Sequence, residues 1–298
     1  MCEMIALVRK NFSLGTAHNI PLRLLINQSW ANPDGCGVAL YSRQFSVGAE
    51  FFRSKESAMK NSDINELAKT GIDPYDALLA HIRNRSIGGV DEKNSHPFRF
   101  VHGTLTYTFM HNGHLGTYNK IPLSGKFRPE GKTDSEVAFC FLMDSIEKNG
   151  PLIIDHSRLA SLHSDMVYLN SHGNFSCVFC DGRTLVFYAD ANGSKDMWIA
   201  KIDEDTTLIY TQANEKTLAR MRQTIAENPK KKATEAVPAH KIQIMERMLS
   251  KKSERNYMEP IVEGLAWKPV KMEADDMRVY RDGELVFMNR QSSLASRQ

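Results

Sequence analysis

Two consecutive predicted helices, with strand-like sequence on both sides, constrain the fold of this chain most strongly. Thr133 and Glu136 form a capping-box pattern ahead of the apolar run VAFCFLMDSI, which predicts a helix start at Thr133. A second helical pattern covers about 156–168. Short apolar or alternating runs, typical of strands, lie before and after this helical pair. Because the strands do not alternate with helices, the order predicts an α+β protein with layered sheets.

The strand predictions are specific enough to be checked one by one. The expected strands are 3–9, 36–42, 47–52, 77–83, 103–111, 174–180, 183–189, 196–201 and 206–211, and a short helix is expected at 64–70. The late segment MRVYRDGELVFMN predicts a hairpin with Asp282-Gly283 at its turn. We expect the tail after Asn289 to be disordered.

The segment 213–259 differs in character from the rest of the chain. Apolar residues recur there at helical spacing among many Lys and Arg residues, which predicts two basic amphipathic helices joined by a turn between Pro229 and Pro238. We therefore expect a single domain over 1–298, with a core at 1–212, a C-terminal return at 260–290 and a basic helical insertion at 213–259. The insertion is either a solvated face or a surface that binds a protein partner or nucleic acid. Nucleic acid is disfavoured because few aromatic residues interleave with the cations.

Composition limits the class of protein. The net charge of +3 is too small to indicate nucleic-acid binding, and no apolar run approaches the ~20 residues that span a bilayer. The start of the chain has no signal-peptide pattern, and the five cysteines are an odd number, so we expect a cytoplasmic protein without a disulfide framework. Cys177 and Cys180 have metal-like spacing, but residues three apart in a strand face opposite ways, so we expect structural cysteines.

Cys2 is the first candidate for chemistry. If Met1 is removed, the thiol of Cys2 and its free α-amine lie on one carbon. The ordinary pKa values, roughly 8.5 for the thiol and 8 for the α-amine, suit proton exchange between the two groups at neutral pH. An N-terminal nucleophile activated by its own amine is a known catalytic arrangement. The simple alternative is a cysteine in a first strand.

Four further stretches place polar residues where predicted strands end or a helix begins. They are HIRNRSIGG (81–89), NSHPF (94–98), FMHNGHL (109–115) and KTDSE (132–136). Each has a simple alternative: a surface ion pair for Arg83, satisfied core histidines for His96 and His111, an ordinary turn for Asn112-Gly113, and a favourable helix-dipole position for Asp134.

Taken in order, these pieces resemble a known family. Cys2, DGxG (34–37), HxR (81–83), HPF (96–98), HNG (111–113) and TDSE (133–136) together are similar to the class II glutamine amidotransferases, which are N-terminal-nucleophile hydrolases. The similarity is greatest to the stand-alone branch of YafJ-like proteins and γ-glutamyl hydrolases. It covers roughly 1–212, and GLAWKPV (264–270) and the last hairpin resemble the C-terminal end of that branch. The resemblance implies a four-layer αββα sandwich.

The resemblance also implies catalytic roles for three residues. The Cys2 thiolate would attack the γ-amide carbon, while its α-amine would accept and return the proton. The side chain of Asn112 and the backbone N–H of Gly113 would stabilise the oxyanion. A thioester would form, ammonia or an amine would leave, and water would release glutamate. No metal or cofactor would be needed.

Three other residues are implied to bind the glutamyl part of the substrate. Arg83 suits its α-carboxylate through a forked contact, with Ser86 beside it, and Asp134 suits its α-ammonium. The expected ligand is glutamine or a γ-glutamyl amide, with an ammonia-accepting or regulatory protein subunit as a further partner. The alternative is an amidotransferase-like scaffold or subunit whose basic helices bind a protein or nucleic acid.

The sequence departs from the family pattern in three places. Cys36 stands where the family has an aromatic residue in DGWG, so an aromatic wall is expected to be missing. Asn84 replaces the usual aromatic residue after Arg83, and Arg85 replaces a small residue, which puts an extra positive charge near the expected pocket. The third departure is the 213–259 segment.

Overall fold

Thirteen strands and six α-helices make up the regular structure in the computed structural model, which describes residues 2–10, 20–42, 50–70, 75–152, 155–230, 239–250, 258 and 268–289. The strands are β1 (Glu3–Arg9), β2 (Cys36–Tyr41), β3 (Glu50–Ser54), β4 (Ala77–Ile82), β5 (Phe98–His102), β6 (Leu105–Leu115), β7 (Gly173–Cys180), β8 (Thr184–Tyr188), β9 (Asp196–Lys201), β10 (Thr206–Gln212), β11 (Val270–Lys271), β12 (Met277–Arg281) and β13 (Glu284–Met288). The helices are α1 (Ile20–Asn27), α2 (Ser62–Thr70), α3 (Asp134–Asn149), α4 (His156–Asn170), α5 (Glu215–Glu227) and α6 (Ala239–Ser250).

The strands form two antiparallel sheets. The first has seven strands in the order β11-β9-β10-β1-β4-β2-β3, and the second has six in the order β13-β12-β8-β7-β6-β5. The central strand β1 pairs with β10 on one side and with β4 on the other. In the second sheet, β6 lies between β5 and β7. The start of β1 is thus fixed by a neighbouring strand on each side.

The alternation of side chains along β1 explains how the layers stack. Met4, Ala6 and Val8 belong to the apolar cluster that also contains residues of the second sheet, so this cluster fills the space between the sheets. Ile5 and Leu7 point the other way and pack with apolar residues of α1 and α2. Residues of α3 and α4 cover the outer face of the second sheet. The predicted four-layer αββα sandwich is confirmed.

Cys177 and Cys180 show the same alternation. Cys177 belongs to the cluster beneath α3 and α4, whereas Cys180 belongs to the cluster between the sheets. The prediction that they face opposite ways is confirmed. Burial raises the pKa of both thiols, and all five cysteines are free.

Two predictions of local structure need correction. Asn112 and Gly113 lie inside β6, paired with Ser176 and Phe175 of β7, so the alternative of an ordinary turn is wrong. The hydroxyl of Thr133 accepts the N–H of Glu136 as predicted, but the Glu136 carboxylate accepts the N–H groups of Glu130 and Gly131. The capping box is therefore only half formed.

The end of the described chain returns to both sheets. β11 pairs with β9, and β12 pairs with β8 and with β13. The predicted hairpin is confirmed, and Asp282 and Gly283 at its turn have φ values of 49° and 85°, as the favoured two-residue turn requires. The basic segment forms α5 and α6. Residues 264–267, most of the predicted turn before Pro238, and the tail after Asn289 lie outside the described residues.

Candidate active site

Cys2 lies immediately before β1, at one end of the sandwich, and is half-buried. Its sulfur is 3.3 Å from the backbone N of Asn84 and 3.4 Å from the carbonyl oxygen of the same residue. The N–H donates to the sulfur, and the thiol can donate to the carbonyl. Asn84 is the second residue after β4, the neighbour of β1, so the pairing of these two strands places the loop against the thiol.

Asn112 comes from the second sheet, and two buried side chains hold its amide. The Nε2 of His81 lies 3.1 Å from Asn112 Oδ1, and Asn112 Nδ2 donates to the hydroxyl of Thr211 at 2.7 Å. Burial lowers the pKa of His81 to about 3, so the ring is neutral at physiological pH. The tautomer with a proton on Nε2 therefore donates to Oδ1, which leaves one hydrogen of Nδ2 for another acceptor.

A buried polar network connects Asn112 to the residue next to Cys2. Thr211 donates to Glu3 Oε2 at 2.9 Å and accepts the N–H of Met4 at 3.1 Å. Lys195 Nζ is 2.5 Å from Glu3 Oε1 and also donates to the carbonyl oxygen of Cys2. The Glu3 side chain is 4% exposed, so its charge needs this partner.

Four residues of this network were not predicted as site residues from the sequence: Glu3, His81, Lys195 and Thr211. Two of them carried a signal: His81 belongs to the HxR motif (81–83), and Glu3 is a carboxylate at the start of a buried apolar strand, which requires a buried partner. The identity of that partner was not visible, because Lys195 lies 192 positions away in the sequence.

Gly113 and His111 flank Asn112 on β6. A Cβ at position 113 would lie 1.9 Å from the carbonyl oxygen of Asn174, so this close approach requires glycine. His111 is buried, and its ring nitrogens lie 2.8 Å from Ser135 Oγ and 3.1 Å from Asn174 O, which confirms the interpretation as a satisfied core histidine. His96 is also buried, but neither of its ring nitrogens has a hydrogen-bond partner in the described part of the chain.

Arg83 is buried rather than part of a surface ion pair, so that alternative is wrong. Its guanidinium donates to the carbonyl oxygens of Ile87 and Gly89 at 2.8 and 2.9 Å, which fixes the loop that carries Ser86. Burial lowers the pKa of Arg83, while the opposite charges of Cys2, Asp34 and Asp134 raise it. The cation therefore lies within electrostatic range of both the candidate nucleophile and Asp134.

Asp134 is buried at the first position of α3. Its carboxylate accepts the N–H of Leu115 at 2.8 Å and the N–H of Ser135 at 3.0 Å. It thus connects the end of β6 to the start of α3. Both contacts come from backbone donors, which hold the carboxylate in place without neutralising its charge.

A cavity of about 370 Å³ opens at this end of the sandwich. Among the six residues singled out in the sequence, Cys2, Ser86, Asn112 and Gly113 line it, whereas Arg83 and Asp134 lie buried outside its lining. Lys195 and several residues of α5 and α6 also line it. The position of Cys36 differs from expectation: its side chain is buried in the core beneath α1 and α2, where burial raises its pKa to about 12, so the substitution at 36 removes no wall from this cavity.

Two features are absent from the described residues. No group of three or more His, Cys, Asp or Glu side chains in those ranges could hold a metal ion. None of the described helices is both long enough and apolar enough to cross a membrane.

The family model and a named relative of this sequence indicate the same family. The model of the class II glutamine amidotransferases matches residues 1–298. YafJ from Escherichia coli, which carries a glutamine amidotransferase name, is 31% identical over 206 residues, covering 64% of this chain and 74% of YafJ. An uncharacterized protein from Methanocaldococcus jannaschii is 29% identical over 202 residues, covering 67% of this chain. The matched part spans only 54% of that archaeal protein.

Solved structures share the fold at low sequence identity. The allosteric regulatory enzyme of purine biosynthesis superposes with a TM-score of 0.61 at 12% identity, over 98% of this chain and 49% of that one. Glutamine phosphoribosylpyrophosphate amidotransferase from Bacillus subtilis gives a TM-score of 0.53 at 14% identity, over 70% of this chain and 41% of that one. Since the family model matches the whole sequence and the sandwich is shared, this chain belongs to the class II glutamine amidotransferases.

Proposed function

We propose that the chain hydrolyses the γ-amide of glutamine or of a γ-glutamyl compound through a thioester on Cys2. The observation that carries the proposal is that the Cys2 thiol, Asn112 and Gly113 line one cavity although they come from different sheets. The family membership supports glutamine chemistry in general.

The proposed reaction starts when Met1 is absent, so that the α-amine of Cys2 is free to take the thiol proton. The thiolate attacks the γ-carbonyl carbon, and the negative charge moves to the carbonyl oxygen. The hydrogen of Asn112 Nδ2 that Thr211 does not accept, together with the N–H of Gly113, would donate to that oxygen. The C–N bond then breaks, and the leaving nitrogen takes the proton from the α-amine.

Water completes the cycle by attacking the thioester. Its proton passes to the amine and then to the sulfur, so glutamate and the free thiol are formed. Lys195 would assist by fixing the backbone of Cys2 through its carbonyl oxygen, while Glu3 holds the ammonium in place. Lys195 is thus proposed as a positioning residue.

The glutamyl part of the substrate would lie against Ser86 in the cavity, with Arg83 and Asp134 buried behind its lining. Ser86 lines the cavity and can contact the α-carboxylate. The buried charges of Arg83 and Asp134 would favour the α-carboxylate and the α-ammonium, respectively. Two further proposals follow from the family and the cysteines. Ammonia would pass to a separate subunit, and the five free thiols fit a reducing, cytoplasmic compartment.

The alternative function, a scaffold whose basic helices bind a partner or nucleic acid, gains no support. Part of α5 and part of α6 line the cavity beside Cys2, so these faces are already used. A salt-dependent gel shift remains the direct measurement of nucleic-acid binding.

The test of the proposed function is glutamate release from glutamine and from γ-glutamyl amides. We expect release by the chain lacking Met1 and none by Cys2→Ala, whose N-terminus is processed in the same way. A sample that keeps Met1 has the wild-type side chains but no free amine on Cys2, so it should also be inactive. Mass spectrometry identifies the N-terminus of each sample. Equal release by the wild type and Cys2→Ala would refute the proposal.

A further inference from the structure

Two helices form the wall of the cavity that faces Cys2. Four residues of α5 and four of α6 are among those lining the cavity. These helices belong to the segment that the sequence analysis predicted as an insertion. The residues of this wall are not among the candidate catalytic residues, so they can determine which ligand binds without taking part in the reaction.

The wall is attached to the rest of the protein near the nucleophile. Met221 and Met248 pack in an apolar cluster with Ala31, and the guanidinium of Arg247 lies 4.1 Å from the ring centre of Trp30. This packing holds the helices against the segment after α1.

A polar contact joins the same wall to the loop beside Cys2. Lys241 Nζ is 3.2 Å from Asn84 Oδ1 and 3.2 Å from the carbonyl oxygen of Arg85. Asn84 Nδ2 donates to the carbonyl oxygen of Ala31 at 2.7 Å. Asn84, which replaces the family's aromatic residue, thus connects the wall to the loop that contacts the Cys2 sulfur.

The wall presents apolar side chains to the cavity. Met221, Ile244, Met245 and Met248 all line it. Thioether side chains are flexible and polarizable, and they adapt to apolar groups of different shape. A cavity of about 370 Å³ lies in the range that accepts ligands larger than a single small amino acid.

The charges that line the cavity are of one sign. Arg85, Lys195, Arg220 and Lys241 line it, whereas no Asp or Glu is among the described residues that do so. Glu3 neutralises Lys195. The two contacts of Lys241 given above are to uncharged oxygens. The cavity therefore favours a negatively charged group close to an apolar one.

We propose that α5 and α6 select the amine half of the substrate, and that this half carries both an apolar side chain and a carboxylate. The substrate class is then a γ-glutamyl amide of an apolar amino acid rather than glutamine itself. The inference rests on the proposed γ-glutamyl hydrolysis: water cleaves the amide to give glutamate and the free amino acid, whose nitrogen takes the proton from the Cys2 amine. The acyl half lies at Cys2, and the amine half lies against the helices.

Four probes separate the two features of the amine half. They are γ-glutamyl-leucine, γ-glutamyl-leucinamide, γ-glutamyl-glycine and γ-glutamyl-glycinamide, with glutamine as the reference. The leucine side chain should raise kcat/KM by about tenfold or more, as expected for an apolar group that fills a pocket. The carboxylate should raise it by about two- to fivefold, because the cations are partly exposed.

Variants assign each effect to the wall. Met245→Ala should reduce the advantage of leucine over glycine, and Lys241→Gln and Arg220→Gln should reduce the advantage of the carboxylates over the amides. Arg222→Gln is the matched control, since Arg222 is on the same helix as Arg220, exposed and 3.7 Å from Glu215. It should leave all preferences unchanged. If Met245→Ala, Lys241→Gln and Arg220→Gln lower kcat/KM equally for all four probes, the wall has only a structural role and the inference is overturned.

The outcomes also distinguish this inference from the proposed function. Glutamine cleaved as well as γ-glutamyl-leucine, with Cys2→Ala inactive, would overturn the selection by α5 and α6 and leave γ-amide hydrolysis standing. No release from any probe or from glutamine by a Met1-free sample would overturn both. Both proposals would be supported by a preference for γ-glutamyl-leucine in which Met245→Ala reduces the advantage of leucine over glycine and Lys241→Gln reduces the advantage of the carboxylate over the amide.

Discussion

Thr211→Val tests whether the buried network positions the proposed oxyanion donor. Valine has nearly the shape of threonine, so the substitution removes the hydroxyl without opening a cavity. The hydroxyl accepts from Asn112 Nδ2 at 2.7 Å and from the N–H of Met4 at 3.1 Å, and donates to Glu3 Oε2 at 2.9 Å. All three contacts are buried, and all three would be lost together.

The cost in stability follows from the partners left behind. A buried donor or acceptor without a partner costs about 1–3 kcal/mol. Three such groups give roughly 3–9 kcal/mol, with the lower part of this range favoured because Glu3 keeps its contact with Lys195. This is a large fraction of the roughly 5–15 kcal/mol by which a domain is stable. The free energy of unfolding, measured in urea, should fall by this amount.

The cost in activity follows from the orientation of Asn112. Without Thr211, the amide keeps its contact with His81 through Oδ1, but the position of Nδ2 is no longer fixed. Complete loss of one oxyanion donor costs about 10²–10³ in rate, which sets the upper limit. We expect kcat for glutamate release to fall by at least about tenfold, with little change in KM, because the donor acts on charge that develops after binding.

Thr211→Ser is the control, since it keeps the hydroxyl and removes one methyl group. It should retain most of kcat while losing some stability. The assay is glutamate release at saturating substrate, under conditions where urea titration shows both variants to be folded. A folded Thr211→Val protein whose kcat stays within about twofold of the wild type would refute the positioning role.

Three further predictions concern cysteine reactivity, acid stability and the loop after β4. Iodoacetamide at neutral pH should modify one cysteine per chain, because the four thiols other than Cys2 are buried and have raised pKa values. Mass spectrometry should show no such modification in Cys2→Ala. Burial holds the pKa of His96 well below its ordinary value of about 6.5, so the unfolded chain binds a proton at this residue before the folded chain does as the pH falls. The contribution of neutral His96 to stability should therefore be complete above about pH 6.5 and decrease below it. Urea titrations at several pH values should show that the free energy of unfolding of His96→Phe changes less steeply with pH than that of the wild type, by up to about 1.4 kcal/mol per pH unit. Arg83→Lys loses the forked contact with Ile87 and Gly89 and should raise KM more than it lowers kcat, whereas unchanged steady-state kinetics would contradict a role for this loop in binding.

The sheets could be predicted from the sequence because their signals are local. Short apolar runs identified β1, β2, β4 and most of the later strands, and the Asp282-Gly283 turn identified the last hairpin. Helix α1 and strand β5 were not predicted, because they are only eight and five residues long and give weak periodic signals. β6 continues past its expected end because Asn112 and Gly113 keep their pairing with β7.

Only those residues of the candidate site that belong to a sequence motif could be predicted. Cys2, Ser86, Asn112 and Gly113 were singled out and line the cavity. Glu3, Lys195 and Thr211 were not, because their contacts join residues 99 to 208 positions apart and no local pattern encodes such pairs. The part played by α5 and α6 was missed for a related reason: periodicity shows that a helix has two faces, but not what each face covers.

The position of these contacts explains why the network is buried. Cys2 and Thr211 lie on or next to strands of the first sheet, and Asn112 lies on the second, so an Asn112 donor can be aimed at a Cys2-bound oxyanion only if the sheets keep a fixed spacing and register. Apolar packing between sheets is not directional and tolerates small shifts. The bond between Thr211 and Asn112 is directional and crosses from one sheet to the other at 2.7 Å. Burying Glu3, Lys195 and Thr211 therefore adds at the catalytic end the geometric constraint that the apolar core between the sheets does not provide.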